Sequence, residues 1–393
     1  MKDELANHSG FIGINNILPA ERIGPEAFTA AVNVDIDDTK RVTRRRGAVL
    51  RVNPGATHSL FAANGLCLFR AADGLFQLLP DMSTKLLASG YQAGRPMFYT
   101  EHPVGIFFMD GLARGFFIGQ LSGWGTDPPI LQPTAASVGA GQLPAGTYQF
   151  ALTFVRDDGS ESGTRRARVV TATGAIAFSN IEVSADPNVV QKQNYVSSPD
   201  GETLYLSLIL PPAATTATFS GGIIGATLET MFKTPPPNGS VLAEHNGRIL
   251  VGFGKYIAYS SAFRPERFDI ARQAIPCEDT VRIIAPVQTG VFVGTDSAIF
   301  YLDGADIDAA STTALADYGA VPGSLVYVDG DLVGASGRCA LFLTAQGVVL
   351  CTPGGNFKNL TRDRYWPAAS QRAGAVFIRE AGRSRYLASL MSS

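Results

Sequence analysis

Residues 32–50 read VNVDIDDTKRVTRRRGAVL. The order is strand, acidic turn, basic strand, glycine, strand, with no helical periodicity anywhere in it. Asp35-Ile36-Asp37-Asp38-Thr39 forms the turn, and Lys40-Arg41 with Arg44-Arg45-Arg46-Gly47 forms the basic element. A calcium loop wants a glycine at its bend and a distal glutamate, and neither is here, so the aspartates read as a solvated hairpin turn. Strand alternation places Arg44 and Arg46 on one face and Arg45 on the other. No aromatic residues interleave as a stacking platform for bases requires. Lys40, Arg41, Arg44, Arg45 and Arg46 are therefore candidates for a subunit interface, or for the wall of a channel that passes DNA.

The hairpin is the first of many. Residues 58–63 run into Asn64-Gly65, a favoured two-residue turn, then residues 66–70, the turn Asp73-Gly74, and residues 75–79. That is a three-strand meander. Comparable units follow at residues 97–118, 245–260, 283–302, 326–351 and 374–388. Each is too small to bury its own faces, so each must pack on the next. The expected fold class is all-β: a β-propeller of about six blades. A sandwich of the same strands is the alternative.

A different module interrupts the series. Residues 133–144 are rich in Ala, Ser and Gly, a linker composition. Beyond them Tyr148, Phe150, Leu152 and Phe154 share one strand face, and residues 157–163 turn the chain into a basic strand from Arg165 to Thr171. About seven strands in this block suggest an immunoglobulin or fibronectin III-like sandwich. Proline-rich ends at 133–144 and 235–239 predict a semi-rigid knob held away from the propeller. The expected organisation is an N-terminal docking arm and hairpin (1–44), propeller (45–128), inserted sandwich (129–235) and propeller again (236–393).

Composition agrees with a large all-β protein. Of 393 residues 46% are apolar and 17% charged, with Gly 42 and Pro 23, which favours many turns over long helices. The net charge of −2 gives no global reason for a nucleic-acid partner. No apolar run reaches the roughly 18 residues of a membrane helix, and residues 1–10 lack a signal-peptide core. Cys67, Cys277, Cys339 and Cys351 show no CxxC spacing and read as free thiols, and His8, His58, His102 and His245 are scattered. No cofactor or metal is expected. There is no G-x-S-x-G elbow, P-loop or HExxH, so the chain reads as non-enzymatic.

One stretch precedes the hairpin. Gly13-Ile14-Asn15-Asn16-Ile17-Leu18-Pro19 leads into NVDID and RRR-G. Further on, His245-Asn246-Gly247-Arg248-Ile249, Tyr259-Ser260 and Phe263-Arg264-Pro265-Glu266-Arg267-Phe268-Asp269 follow one another. Together these strings resemble structural proteins of bacteriophage tails, of the tail nozzle or DNA-stabilisation type. The resemblance implies a virion tail component, assembled in the host bacterial cytoplasm, with identical subunits in a ring of expected symmetry six. It also implies adaptor, fibre or tip proteins as partners, and DNA met only by passage through a channel. The arm residues Phe11, Ile12, Ile14, Ile17 and Leu18 would then bury on the propeller or on a neighbour. The alternatives from other classes are a receptor-binding tail-tip or baseplate protein that grips host glycan, and a propeller hydrolase.

Overall fold

The computed structural model of the protein describes residues 10–37, 39–45, 47, 49–63, 65–368, 372–380 and 383–391. Among these residues the regular structure is strand, broken by short 3-10 turns at Ala20–Arg22, Ile307–Ala309 and Gly330–Leu332. The all-β expectation holds.

In chain order, β1 (Gly13–Ile14) pairs in parallel with β2 (Ala27–Phe28), and β3 (Val34–Ile36) forms a hairpin with β4 (Val42–Arg44). Four-stranded antiparallel meanders follow. The first holds β5 (Thr57–Ala63), β6 (Leu66–Ala71), β7 (Gly74–Leu78) and β8 (Thr84–Ala88), the second β9 (Phe98–His102), β10 (Gly105–Met109), β11 (Arg114–Phe117) and β12 (Leu121–Gly123). A five-stranded sheet intervenes, built from β13 (Thr134–Arg156), β14 (Arg168–Ser179), β15 (Val189–Ser197), β16 (Leu204–Leu210) and β17 (Ala217–Phe219) in the order β16-β15-β13-β14-β17. The meanders resume with β18 (Val241–His245), β19 (Arg248–Phe253), β20 (Tyr256–Ser261), β21 (Arg264–Phe268) and β22 (Ala274–Pro276), where β22 also pairs with β20. Next come β23 (Val281–Val287), β24 (Gly290–Thr295), β25 (Ile299–Asp303) and β26 (Ser311–Ala316), then β27 (Val326–Asp329), β28 (Arg338–Thr344), β29 (Gly347–Thr352) and β30 (Asn356–Asn359). The hairpin of β31 (Arg372–Glu380) and β32 (Arg383–Met391) ends the series. The chain forms two compact units, residues 97–276 and residues 1–96 together with 277–393.

In the unit of residues 97–276, the β9–β12 sheet packs face to face on the β18–β22 sheet. Phe107, Met109 and Trp124 meet Leu242, Ile249, Val251, Ala258 and Phe268 in one core. Trp124 is 1% exposed, lies 4.8 Å from the Phe107 ring, and donates its Nε1–H to Pro265 O at 2.8 Å. An indole is buried readily only when its N–H finds an acceptor, and the carbonyl supplies it.

The inserted module departs from its sequence reading. Tyr148, Phe150, Leu152 and Phe154 do line its core, with Ile176, Phe178, Val196 and Phe219. The opposite face of β13 is covered too, because Ala151 joins Tyr195, Leu204, Leu228 and Met231. Five strands stand where about seven were expected. Residues 133–144 are not a free linker: Thr134–Val138 pair with Ala175–Ser179, and β13 runs on through bulges to Arg156. Gly141 permits this, since a Cβ there would come within 2.1 Å of Gly174 O. The Ala/Ser/Gly stretch is held by its ladder with mostly exposed side chains, so its composition carries no strand signal.

Nor is the module a detached knob. Arg156, 2% exposed in its side chain, pairs with Asp186, faces Asp158 at 3.6 Å, and donates to Ser122 Oγ at 3.2 Å and Gly125 O at 3.5 Å. Arg267 of β21 reaches Glu229 at 3.2 Å and Glu161 at 3.8 Å. Glu161 in turn accepts from Thr153 Oγ1 at 2.7 Å and Tyr195 Oη at 2.8 Å. Burial and the adjoining Glu161 carboxylate push the Tyr195 hydroxyl far above its ordinary pKa, so it stays a donor. These buried charges tie the module to the β9–β12 and β18–β22 sheets.

In the other unit the β23–β26 sheet packs on the β27–β30 sheet through Ile283, Ala285, Phe292 and Tyr301 against Ala340, Phe342, Val349 and Cys351. The far face of β27–β30, with Val328, Cys339, Leu341 and Leu350, takes Phe377 and Tyr386 of the closing hairpin. All six residues of β24 are buried. A strand covered on both faces needs a continuous apolar run, and GVFVGT and ALFLT supply it. The four cysteines are free, and burial raises the thiol pKa of each.

Three outcomes are expected from these contacts. Trp124→Ala should destabilise the unit of residues 97–276 by about 3–5 kcal/mol in urea unfolding followed by far-ultraviolet circular dichroism. Arg156→Met should cost about 3 kcal/mol, because Asp186 loses its counter-charge; an unchanged urea midpoint would sink that account. The third concerns pH. His102, 3% exposed, has its pKa lowered by burial, with the Glu244 charge and the Gly247 backbone opposing. The unfolded chain then takes the proton near pH 6.5 while the folded chain resists, so stability is lost as pH falls below about 6.5. His102→Gln should flatten the drop in urea midpoint between about pH 7 and pH 5.

Candidate functional site

The residues that sequence analysis marks for interaction fall in the N-terminal arm and the β3–β4 hairpin. The arm is tied down by short-range geometry. Phe11 stacks on Phe28 with ring centroids 4.5 Å apart, Ile12 N–H donates to Glu26 O at 2.8 Å, and Asn15 N–H donates to Phe28 O at 2.8 Å. The Asn15 side chain accepts from Ile17 N and Leu18 N at 3.2 and 3.1 Å, a local Asx turn that reverses the chain before Pro19. Phe11, Ile14 and Ile17 are half-buried, whereas Ile12 and Leu18 remain 39% and 44% exposed.

Asn16 does something the sequence gives no sign of. Its Nδ2 donates to Trp366 O at 2.7 Å, and its Oδ1 accepts from Trp366 N at 2.9 Å. Asn16 N–H also donates to Arg364 O at 3.0 Å. The amide thus imitates one rung of a β-ladder with a residue 350 positions away.

The hairpin turn is closed by Asp37. Its Oδ1 accepts from Thr39 Oγ1 at 2.6 Å and from Arg41 N at 2.9 Å, and these bonds hold its carboxyl below the ordinary carboxylate pKa. Among the described residues no group of His, Cys, Asp and Glu is placed to hold a metal ion, and Asp38 lies outside them. Asp35 serves as a clamp. Oδ1 takes Arg45 Nε at 3.1 Å and Oδ2 takes Arg385 Nη1 at 3.0 Å, linking the first hairpin to β32.

The basic run therefore divides. Arg45 pairs with Asp35 within the chain while its side chain stays 52% exposed. Asp35 stands opposite Thr43, and Arg45, two residues beyond Thr43 and so on the same face, reaches it diagonally. Lys40, Arg41 and Arg44 are exposed, with no ion pair among the described residues. Arg46 lies outside the described residues. Around the three exposed cations Val32, Val42, Val49 and Leu50 are exposed as well. On the inserted module Arg165, Arg166 and Arg168 are also exposed; the strand expected from Arg165 begins at Arg168, and Arg165 and Arg166 precede it.

No protein-family model matches the chain, and no curated protein does. Among solved structures it is similar to BBS1N, crystallised in complex with ARL6DN, at 13% identity and a TM-score of 0.31, covering 84% of this chain and 88% of that one. It is also similar to the extracellular domain of the putative one component system BT4673 from B. thetaiotaomicron, at 12% identity and a TM-score of 0.27, covering 92% of this chain and 49% of that one. Likenesses of this extent assign neither fold nor function. No helix among the described residues is long and apolar enough to cross a membrane.

The Asn16 pin is testable by hydrogen exchange. Asn16→Ala should speed exchange of the Trp366 amide by about tenfold, the weight of roughly one to two net hydrogen bonds, while the β24 amides stay protected. Equal protection of Trp366 in parent and variant would remove the pin from consideration.

Proposed function

We propose that this chain is a non-enzymatic structural protein of a bacteriophage virion tail, of the nozzle or DNA-stabilisation type. In this reading the meander sheets are the blades of a propeller of about six blades, and the five-stranded module is its immunoglobulin-like insert. About six copies form a ring between the portal and adaptor side and the distal tail, holding or passing DNA.

One observation carries the reading. The motif strings that resemble phage tail proteins are the same residues that tie the N-terminus to the C-terminal segments: Asn16 to Trp366, and Asp35 to Arg385. A ring of blades needs its two chain ends joined, because otherwise the first and last sheets each leave an apolar face in water. Face-to-face packing of successive sheets supports the same reading. The exposed arm residues Ile12 and Leu18 and the cations Lys40, Arg41 and Arg44 then belong to contacts with other subunits or tail proteins.

Negative-stain microscopy and mass photometry of the purified full chain test this. The expected particle is a ring with a central opening and roughly six copies. A particle that never assembles, yet binds host-cell glycan through residues 129–235, would transfer the chain to the receptor-binding class. Release of reducing sugar from such glycan would transfer it to the hydrolases.

A further inference from the structure

The basic run of the β3–β4 hairpin has no aromatic residue within it, but a second basic stretch near the C-terminus does. Between residues 358 and 366 the chain carries Lys358, Arg362 and Arg364 against the single acid Asp363, and it ends in Tyr365-Trp366. These charged side chains are exposed, with no ion pair among the described residues. Trp366 is 44% exposed, whereas Trp124, the other tryptophan, is 1% exposed. The turn is firmly built. Thr361 O accepts from Arg364 N and Tyr365 N at 2.9 and 2.8 Å, and Thr361 Oγ1 accepts from Val348 N at 2.9 Å. The indole is fixed too, because its Nε1–H donates to Arg362 O at 3.1 Å. Asn16 holds the Trp366 backbone through both its N–H and its C=O.

We propose that this turn is a binding site for an acidic saccharide, with one pyranose ring on the Trp366 face and its carboxylate on Arg362 or Arg364. The C–H bonds of a sugar ring carry slight positive charge and rest well on the electron-rich face of an indole. A guanidinium takes a carboxylate through two parallel hydrogen bonds. Asp363, set between the arginines, opposes a phosphate backbone but accepts protons from sugar hydroxyls. A run of nucleic-acid bases asks for successive aromatic platforms, and in this turn Tyr365 is half-buried, which leaves Trp366 alone to stack. A surface turn that must be ordered on binding loses affinity to that ordering. Here the hydrogen bonds to Thr361 and Asn16 have ordered it already. The site needs no second subunit, so it goes beyond the ring reading and stands whether or not the chain assembles.

The probes are tetragalacturonic acid and an oligosialic acid of the same length, titrated into the full chain. Binding is read by calorimetry and by tryptophan fluorescence. Trp124 is shielded from solvent, so a change of emission reports Trp366. The methyl ester of tetragalacturonic acid keeps the rings and loses the charges. It should bind about tenfold more weakly, the weight of a charge-assisted hydrogen bond. Trp366→Ala and Arg362→Gln/Arg364→Gln should each weaken binding of the acid by about tenfold or more in calorimetry, and Trp366→Phe should restore part of the loss. Should Trp366→Ala lower the melting temperature, the arginine pair carries the test. Failure of the parent to bind either acid at its solubility limit overturns the site. Equal binding of the acid and its ester, or binding that both variants keep, does the same. An oligothymidylate that binds the parent more tightly than the saccharides, and is lost in both variants, gives the turn to nucleic acid and sinks the proposal. None of these results bears on ring assembly, which is read separately from particle size.

Discussion

A four-stranded sheet with apolar residues on both faces has no stable existence in water, and most of this structure follows from that constraint. The β27–β30 sheet shows it plainly. One face carries Ala340, Phe342, Val349 and Cys351 against the β23–β26 sheet, and the other carries Cys339, Leu341 and Leu350 against Phe377 and Tyr386. Strands such as β24 and β28 are buried almost throughout, so every second residue is not a polar one facing water. Each sheet lends a neighbour half its core and borrows half of its own. A substitution in one strand is therefore felt across two sheets.

Stacking alone cannot set where loosely patterned segments sit, and charge and amide chemistry do that work. The inserted module is located by Arg156 and Arg267, each surrounded by carboxylates on more than one segment. Such buried charges add little net stability against an apolar alternative, but they penalise any misplacement that leaves one of them unpaired. The N-terminal segment follows the same logic with smaller means. Asp35 joins Arg45 and Arg385, and Asn16 bonds twice to the Trp366 backbone. A segment with few buried side chains is thereby fixed to strands made at the opposite end of the chain.

Using part of a charged run for internal structure leaves a residue of unspent charge, and that remainder is where interaction chemistry resides. Arg45 reaches diagonally across the hairpin to Asp35, while the side chains of Lys40, Arg41 and Arg44 are exposed, Lys40 O alone taking the Phe11 N–H at 2.9 Å.

Much was legible from the sequence alone. Turn pairs such as Asp73-Gly74 and Asp110-Gly111 bound short apolar runs, and these runs are the strands observed, since turn chemistry and strand burial are local properties. The inward face of Tyr148, Phe150, Leu152 and Phe154 was equally readable, because side-chain period follows from the pleat. Other features had no local signature. Residues 133–144 look like a linker and form strand, because their ladder to Ala175–Ser179 comes from backbone bonds that any residue but proline can make. The buried setting of Arg156, the pairing of Arg45 with Asp35, and the bond from Asn16 to Trp366 depend on which distant residue arrives opposite. One sequence states the charge or amide at each end of such a pair; only the folded chain decides that the two ends meet, because a contact between residues 350 positions apart has no local determinant.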